Sequence, residues 1–518
     1  MTASPSHDFI IVGAGAAGCT LAWQLARSRA APRVLLLEAG GRNDDPALRA
    51  HAAALFTKDQ TPLNWGYKSE PAAAAHGRRI ELDRGRGLGG STAINFTSWT
   101  RGPRDEYDAI AELVGDDAWR WPEVARRYRA LERFTVTPGA GRERYFNPAA
   151  GGYGTEGPLK ISNIDTDWTA AMAETAEVWA ARGYNINPDV SDGDPIGLVI
   201  TPLTGFEGER STAADLLADA PPNLEVVTDA HVARVLFEGT TAVGVALVDG
   251  REFRAASEVV LSAGTIDSAK LLLLSGIGPA AHLGDVGIPV VHANEAVGQN
   301  MGDHHHILMF FGTRPDSVSR ADLPLLASYT MGYLKSPAVE ASAELAALPA
   351  DVRARLARPT VPHYEMVHVG SMDLPPLGLK RVASLRLFLM NSQAGGSVTL
   401  RSTDPVEPPV LRVRFLEHPY DRRVAIEATR EMLRVAADPA SSVDQRDGAL
   451  RIAPKSDAEE DIIDFWAGQT QSTWHMVGTA RMGKTQEGDQ AVVDSRFRVF
   501  GVDKLRVVDL SVFPFVPG

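Results

Sequence analysis

A glycine-rich hexapeptide near the start of the chain has the residue types and the spacing that can hold a dinucleotide. Gly13, Gly15 and Gly18 follow the pattern Gly-x-Gly-x-x-Gly, with Ala16 among the residues between them. The first glycine permits a tight turn, the second lets the backbone approach a pyrophosphate, and the third lets a helix pack closely on a strand. A plain glycine turn can have the same pattern, so its context must decide.

An acidic residue supplies that context. Glu38 lies 20 residues after Gly18 and is followed by Ala39. At this distance a carboxylate can accept hydrogen bonds from ribose hydroxyls, which favours nucleotide binding. Because an acidic residue there disfavours a 2′-phosphate, the pattern leaves FAD or NAD as the ligand.

The elements that must position these residues form one strand-helix-strand unit over residues 8–38. Residues 9–12 are an unbroken apolar run, and Ala17, Leu21 and Leu25 then recur at helical spacing. Residues 34–37 form a second apolar run. Such runs are typical of buried parallel strands, so the two strands are predicted to lie side by side.

Further along the chain, two regions differ in their pattern of apolar residues. Apolar runs at 224–227, 232–237, 242–245 and 258–262 predict that the nucleotide-binding sheet resumes. From about 305 to 470 the strands alternate in polarity, as at 384–390 and 396–400, which predicts an antiparallel sheet in a substrate domain. Residues 101–135 are predicted to be helical, and the acidic run 457–461 to begin a solvated helix.

A second glycine-rich run decides between the two cofactors. From Arg84 to Asn95 the chain crowds glycines together and then supplies Ser91 and Thr92 before Asn95. A flexible surface loop could have this composition, but such loops seldom continue into a run like 94–99. The segment resembles the first signature of the glucose-methanol-choline (GMC) oxidoreductases, which lies along the pyrophosphate and ribityl chain of FAD.

The resemblance covers almost the entire chain. Residues 64–67, 262–279, 297–304 and 474–483 look like further motifs of the family in the expected order; one departure is Ala269, where proline is usual. It implies an α/β fold with a Rossmann-like FAD-binding domain and a substrate domain on a mainly antiparallel sheet. The expected bounds are 1–305 with a loop-rich insert at about 41–200, then 306–470, and a return to the first domain over 471–518.

The resemblance also assigns cofactor residues. Some relatives attach the flavin through a histidine just before the position of Asn95; here that position is Ile94, which implies noncovalent FAD. The residues expected to contact FAD are Gly13, Gly15, Ala16, Gly18, Glu38, Ala39, Trp65, Gly90, Ser91, Asn95, Phe96, Thr97, Ser98, Val232, Asp509 and Leu510.

His475 matches the flavin-facing histidine of the family. The resemblance implies that it accepts the proton of a small-molecule alcohol while a hydride leaves the adjacent carbon for flavin N5, and that it can return the proton. Stabilising the developing alkoxide makes that hydride a better donor. Dioxygen or another acceptor would then reoxidise the flavin. Candidates for the substrate pocket are Tyr329, Tyr333, Tyr364, Phe388, Met390 and Trp474.

Two alternatives stay open at this point. Hydroxynitrile lyases share the fold and keep FAD without net redox chemistry. The family pattern also normally continues beyond Gly518 with an asparagine or histidine partner and a helix, so a flavin-binding protein without turnover is a second alternative. Adjacent histidines cannot readily converge on one ion, so no metal is expected at His304, His305 and His306.

Composition excludes other classes of protein. A net charge of −13 argues against a nucleic-acid partner, whose affinity comes from lysine and arginine. Apolar runs stop well short of the roughly 20 residues that span a bilayer, so no membrane partner is expected. Cys19 is the sole cysteine and no leader pattern precedes the first strand, which predicts a cytoplasmic protein.

Overall fold

The computed structural model describes residues 7–50, 62–135, 144–147, 152–163, 169–317, 330–374 and 377–518. Tyr329, which the sequence suggests as a pocket residue, lies outside these ranges. Helices in the described part are Ala16–Ala26, Arg104–Val114, Trp121–Leu131, Thr169–Ala181, Gly264–Leu274, Ala280–Asp285, Pro337–Glu340, Ala343–Ala346, Ala350–Leu356, Pro419–Ala436 and Glu459–Gln469. The last of these begins in the acidic run, as the sequence predicts.

The first large sheet is parallel through its centre. Its parallel strands, in spatial order, are Leu224–Val227, Val34–Leu37, His7–Val12, Glu252–Leu261 and Leu505–Val507. Every residue of Val34–Leu37 is buried, as expected for a strand covered on both faces. The first half of Glu252–Leu261 instead pairs antiparallel with Thr241–Leu247, which pairs with Val232–Glu238. The predicted strand-helix-strand unit is confirmed.

The register aligns the carboxyl ends of these strands. Val12 lies opposite both Leu37 and Leu261, so three strands end at the same level. Gly13 follows with φ of +99°, and a Cβ on it would lie 2.5 Å from the carbonyl oxygen of Ser262. A Cβ on Gly18 would lie 1.9 Å from the carbonyl oxygen of Gly13. Only glycine therefore allows the helix to start so close to the strand ends, where α/β sheets bind their ligands.

The second large sheet is antiparallel. Thr330–Leu334, Tyr364–Leu374, Leu379–Leu389 and His305–Gly312 lie side by side, and Arg451–Ile452 and Gln471–Ser472 extend it. One face packs on the helix Pro419–Ala436 in a large apolar cluster. The predicted antiparallel sheet is confirmed, although Ser397–Thr399 lies outside it and pairs with Val410–Arg412 in a separate ribbon.

Residues 101–135 are not continuously helical, which corrects the prediction. Gly115, with φ of +68°, ends the first helix, and the second ends before the strand Glu132–Thr135. That strand begins a four-stranded sheet with Leu159–Ser162, Leu203–Phe206 and Glu209–Arg210. The cause is tertiary: Glu132 is fully buried against Arg101, whose Nε donates to its carboxylate at 2.8 Å.

Candidate active site

A long cleft opens at the carboxyl ends of the parallel strands. It encloses about 1140 Å³ of space, including the part open to solvent. Much of the predicted cofactor set lines it: Gly13, Gly15, Ala16, Glu38, Ala39, Trp65, Gly90, Ser91, Val232, Asp509 and Leu510. Gly18 supports the cleft from behind through its contact with Gly13.

Two glycine loops meet backbone to backbone on the cleft wall. Gly90 has φ of +51°, and a Cβ on it would lie 2.7 Å from the Cα of Gly15. Gly90 therefore cannot carry a side chain at this contact, whereas a Cβ on Gly15 would lie 4.0 Å from the Gly90 Cα. The arrangement leaves room for phosphate oxygens beside backbone N–H groups and the start of the helix Ala16–Ala26.

Glu38 ties three segments of the cleft together. Its carboxylate accepts hydrogen bonds from the backbone N–H groups of Ala14 at 2.8 Å, Gly40 at 2.9 Å and Gly87 at 2.9 Å. Burial raises its pKa, and the three N–H donors oppose that rise. Since a carboxylate has about four acceptor sites, one remains for a ribose hydroxyl.

Asp509 holds the opposite side of the cleft. Its Oδ2 accepts hydrogen bonds from the Gly264 N–H at 2.9 Å and from Ser268 Oγ at 2.5 Å. Its Oδ1 accepts from the Ser511 N–H at 2.8 Å. The carboxylate thereby joins the start of the helix Gly264–Leu274 to the segment that contains Leu510.

Aromatic and charged side chains to which the sequence assigned no role surround the predicted residue Trp65. Trp65 stacks on Tyr67, with ring centroids 5.8 Å apart, and the ring of His231 meets its edge at 5.4 Å. The Arg86 guanidinium lies 4.8 Å from the Trp65 centroid. Arg84, Asp267 and Lys270 also line the cleft. Flat rings and a cation beside Val232 form a surface suited to a purine.

The segment Asn95–Ser98 does not line this cleft but connects it to the catalytic candidate. Asn95 is exposed, and its Oδ1 accepts a hydrogen bond from the Thr97 N–H at 3.1 Å. Thr97 has φ of +64°, an uncommon conformation for a β-branched residue. The Phe96 ring lies 6.1 Å from that of Trp474, which directly precedes His475.

His475 is held at its backbone and at its ring. Its N–H donates to Asp303 Oδ1 at 2.9 Å, and its Nδ1 lies 3.2 Å from Nδ1 of His304. The side chain keeps accessible surface in the site, while surrounding protein atoms and the Arg84 charge lower its pKa to about 4. Its imidazole is therefore neutral near pH 7, as a proton acceptor must be.

Asp303 and Arg84 fix the segment around His475. Asp303 also accepts hydrogen bonds from Ser472 Oγ and, at 3.4 Å, from Thr473 Oγ1. Burial raises the pKa of Asp303 to about 7. Arg84 donates to the carbonyl oxygen of Trp474 at 2.5 Å. The sequence signal for this pair was its position in two of the motifs on which the family resemblance rests.

The three adjacent histidines diverge. His304 faces His475, whereas the ring of His305 meets Phe415 at 4.5 Å, and that of His306 lies 5.3 Å from Phe388. Alternation along a strand produces this divergence. Across the described ranges, no group of three or more His, Cys, Asp or Glu side chains could hold a metal ion. Within those same ranges, no helix has the length and apolarity to cross a bilayer.

Comparison with known proteins gives consistent results. Models of the GMC oxidoreductase family match residues 7–306 and 392–518. The chain is 31% identical to an oxygen-dependent choline dehydrogenase of Sinorhizobium medicae (strain WSM419), over 98% of this chain and 91% of the relative. It is 29% identical to an alcohol dehydrogenase [acceptor] of Pseudomonas putida, with the same coverage.

Solved structures agree with this assignment. The crystal structure of pyridoxine 4-oxidase from Mesorbium loti superposes with a TM-score of 0.82 at 26% identity, over 99% of this chain and 95% of that one. Together the two family models span most of the chain and contain both the dinucleotide cleft and His475. The chain therefore belongs to the GMC oxidoreductase family, the FAD-dependent enzymes that act on CH–OH donors.

Proposed function

We propose that this enzyme oxidises a small-molecule alcohol, with His475 as the residue that accepts and returns the alcohol proton. One observation carries the proposal: His475 has a neutral imidazole whose Nδ1 is engaged by His304, which leaves Nε2 for the substrate. A general base must be unprotonated and within reach of the proton that it removes. His475 meets the first condition and lies on an accessible surface.

The residues that line the cleft fit FAD in their chemistry. Gly13, Gly15 and Gly90 would hold the diphosphate, and Glu38 the adenosine ribose, because backbone N–H groups and a spare carboxylate site lie there. Trp65 and Val232 would flank the adenine, Asp509 the ribityl chain, and Asn95–Ser98 the isoalloxazine ring. Ile94 is a buried hydrocarbon without a nucleophilic atom, so we propose noncovalent binding.

When bound, FAD supplies the hydride acceptor at N5. The chain's own residues perform the proton chemistry. With the His475 Nδ1 proton donated to His304, the lone pair on Nε2 can accept the alcohol proton. The imidazolium that results stays beside the alkoxide and stabilises its charge until the hydride has left the carbon.

The class of substrate follows from relatives. Those named above act on choline, on alcohols and on pyridoxine, according to their names, and a small-molecule alcohol is common to all three. Dioxygen or another acceptor completes the cycle. We also propose the domain bounds 1–305, 306–470 and 471–518, with the second domain forming the substrate wall, because His304 directly precedes the sheet strand His305–Gly312 and contacts His475.

An anaerobic absorbance titration of the FAD-loaded enzyme tests the function. Benzyl, aliphatic and polyol alcohols are added separately, and the flavin band near 450 nm is followed. Loss of that band with at least one alcohol, and aldehyde or ketone formed in equal amount, is the expected result. Cleavage of a cyanohydrin without bleaching would instead identify a lyase. Bound FAD that no alcohol reduces would identify a protein without this turnover.

A further inference from the structure

An acidic side chain lies on the wall of the dinucleotide cleft. Asp267 belongs to the first turn of the helix Gly264–Leu274 and lines the same cleft as Gly15 and Gly90 of the two glycine loops. The Tyr67 hydroxyl, whose pKa is raised by burial, donates a hydrogen bond to Asp267 Oδ1 at 2.7 Å. Within the described ranges this is the one hydrogen bond to the carboxyl group, so Oδ2 remains available to whatever fills the cleft.

Two cations, Lys270 and Arg84, act on Asp267 through their charge and, in the described part of the chain, form no hydrogen bond with it. Lys270 Nζ instead donates to the carbonyl oxygen of Pro405 at 2.7 Å, and Arg84 to that of Trp474 at 2.5 Å. Burial raises the pKa of Asp267 above its ordinary value, although these two charges oppose the rise. The carboxyl group therefore accepts a proton more readily here than it would in water.

Other titratable groups face the same space. Asp509 is a second carboxylate on the cleft wall, and its charge adds to the rise in the pKa of Asp267. His231 also lines the cleft, and burial together with the charges of Lys270 and Arg86 lowers its pKa to about 4. The His231 ring is therefore neutral near pH 7. Of the groups on this wall, Asp267 is the acid that has the fewest hydrogen-bond donors to stabilise its charge.

A bound dinucleotide would add negative charge to this wall. The diphosphate of FAD is anionic at neutral pH, and a cleft that is filled by the cofactor holds less water. Both changes penalise an ionised carboxylate, so both raise its pKa further. A protonated carboxyl group has one O–H donor, whereas an ionised carboxylate only accepts hydrogen bonds. Beside an anionic cofactor the protonated form of Asp267 is therefore the favourable one.

We infer that Asp267 is a further cofactor-binding residue, which takes up a proton from solvent when FAD binds and donates the resulting O–H group to an oxygen of the cofactor. No bond within the cofactor changes in this step. The affinity for FAD is then greatest below the pKa of Asp267 in the free protein, and it decreases as the pH rises from there to its pKa in the complex. The inference rests on the proposed position of FAD in the cleft and is independent of alcohol oxidation.

Equilibrium dialysis of the FAD-loaded enzyme between pH 6 and 9 tests this link. The slope of log Kd against pH equals the number of protons that are taken up with FAD. We expect the wild-type Kd to rise at least tenfold over this range. Asp267→Asn cannot ionise and keeps an N–H donor, so its Kd should change less than threefold. The comparison isolates Asp267, because any titration of Lys270 or His231 is common to both proteins.

A matched control and a second measurement complete the test. Exposed Asp285 lies at the end of the helix Ala280–Asp285, so Asp285→Asn should follow the wild-type curve. In infrared spectra of the FAD-loaded proteins, wild type should show the C=O stretch of one protonated carboxyl group that Asp267→Asn lacks. This band reports the proton itself, which a merely structural role of the side chain would not produce.

Three results would overturn the inference. A wild-type Kd that stays constant from pH 6 to 9 would do so without any variant. Parallel curves for wild type and Asp267→Asn would show that Asp267 takes up no proton, and so would infrared spectra without the difference band. Each of these results leaves the proposed function standing, because bleaching of the flavin by an alcohol tests that function separately.

Discussion

The Nδ1 atoms of His304 and His475 lie 3.2 Å apart, with the two rings nearly perpendicular at 83°. One of these nitrogens must carry a proton and the other must accept it. Burial lowers the pKa of both rings, so the pair is a neutral N–H···N hydrogen bond. In the proposed mechanism His304 is the acceptor, which fixes the tautomer of His475 and leaves its Nε2 as the base.

The first prediction concerns that orientation. His304→Ala removes the acceptor, so the His475 ring loses both its tautomer preference and its position. We expect kcat for alcohol oxidation to fall by about 10- to 100-fold with little change in KM, because a general base typically contributes 10²–10⁴-fold and only part of that is lost. His304→Asn, whose side-chain oxygen can accept the same proton, should recover part of the rate.

Content of FAD is the control for both variants, measured by absorbance after gel filtration. Loss of FAD in His304→Ala would mean that the residue is structural. Equal kcat in wild type and His304→Ala, at full FAD content, would contradict the assigned role.

The second prediction concerns the contact between the glycine loops. In Gly90→Ala the new Cβ would meet the Gly15 Cα at 2.7 Å, so the loops must separate and the phosphate cradle opens. We expect the purified variant to retain less than a tenth of the FAD of wild type. Calorimetric titration with FAD should show a correspondingly weaker affinity.

A glycine with similar backbone strain but open surroundings is the matched control. Gly239 has φ of +61° and nothing within 4 Å of a Cβ placed on it. Gly239→Ala should cost about 1 kcal/mol of stability through the left-handed conformation alone and keep its FAD. If both variants kept FAD equally, close approach of the two loops would not be needed for binding.

The parts of the molecule that sequence predicted well are those with short-range causes. Gly13, Gly15 and Gly18 are followed at fixed distance by Glu38, and a parallel strand pair brings them together regardless of the rest of the chain. Alternating polarity, as at 384–390, likewise predicted the antiparallel sheet, because alternation along a strand is a local property.

What sequence did not predict depends on contacts between distant segments. The sequence pattern places Glu132 at the end of an amphipathic helix. In the structure Glu132 begins a strand, because Arg101 and the neighbouring sheet bury its carboxylate. Asp303 and Glu365 are ordinary acidic residues in sequence. Their raised pKa values arise from burial that only the assembled fold creates.

The third prediction concerns acid stability. His368 is 1% exposed, and its Nδ1 accepts a hydrogen bond from Trp179 Nε1 at 3.2 Å. Burial lowers the pKa of His368 in the folded protein from 6.5 to about 4. Below pH 6.5 the unfolded chain therefore binds a proton at this residue that the folded chain does not bind. The contribution of His368 to the free energy of unfolding is therefore fully present above pH 6.5 and decreases as the pH falls towards 4.

A denaturation series between pH 7.5 and 4 measures this effect. His368→Gln cannot take up a proton, and its stability should depend less steeply on pH than that of wild type, by up to about 1.4 kcal/mol per pH unit within the window. The FAD concentration is held constant because bound ligand adds to stability. Parallel curves for the two proteins would show that His368 takes no part in acid unfolding.

The central claim is that His475 removes the alcohol proton as the hydride leaves. It is tested most directly by anaerobic stopped-flow measurement of flavin reduction, with the best alcohol found by titration, in wild type and in His475→Ala at equal FAD content. We expect the limiting rate of bleaching to fall by about 10²–10⁴-fold in the variant, and added imidazole to restore part of it. Bleaching of His475→Ala at the wild-type rate would show that His475 does not remove the proton.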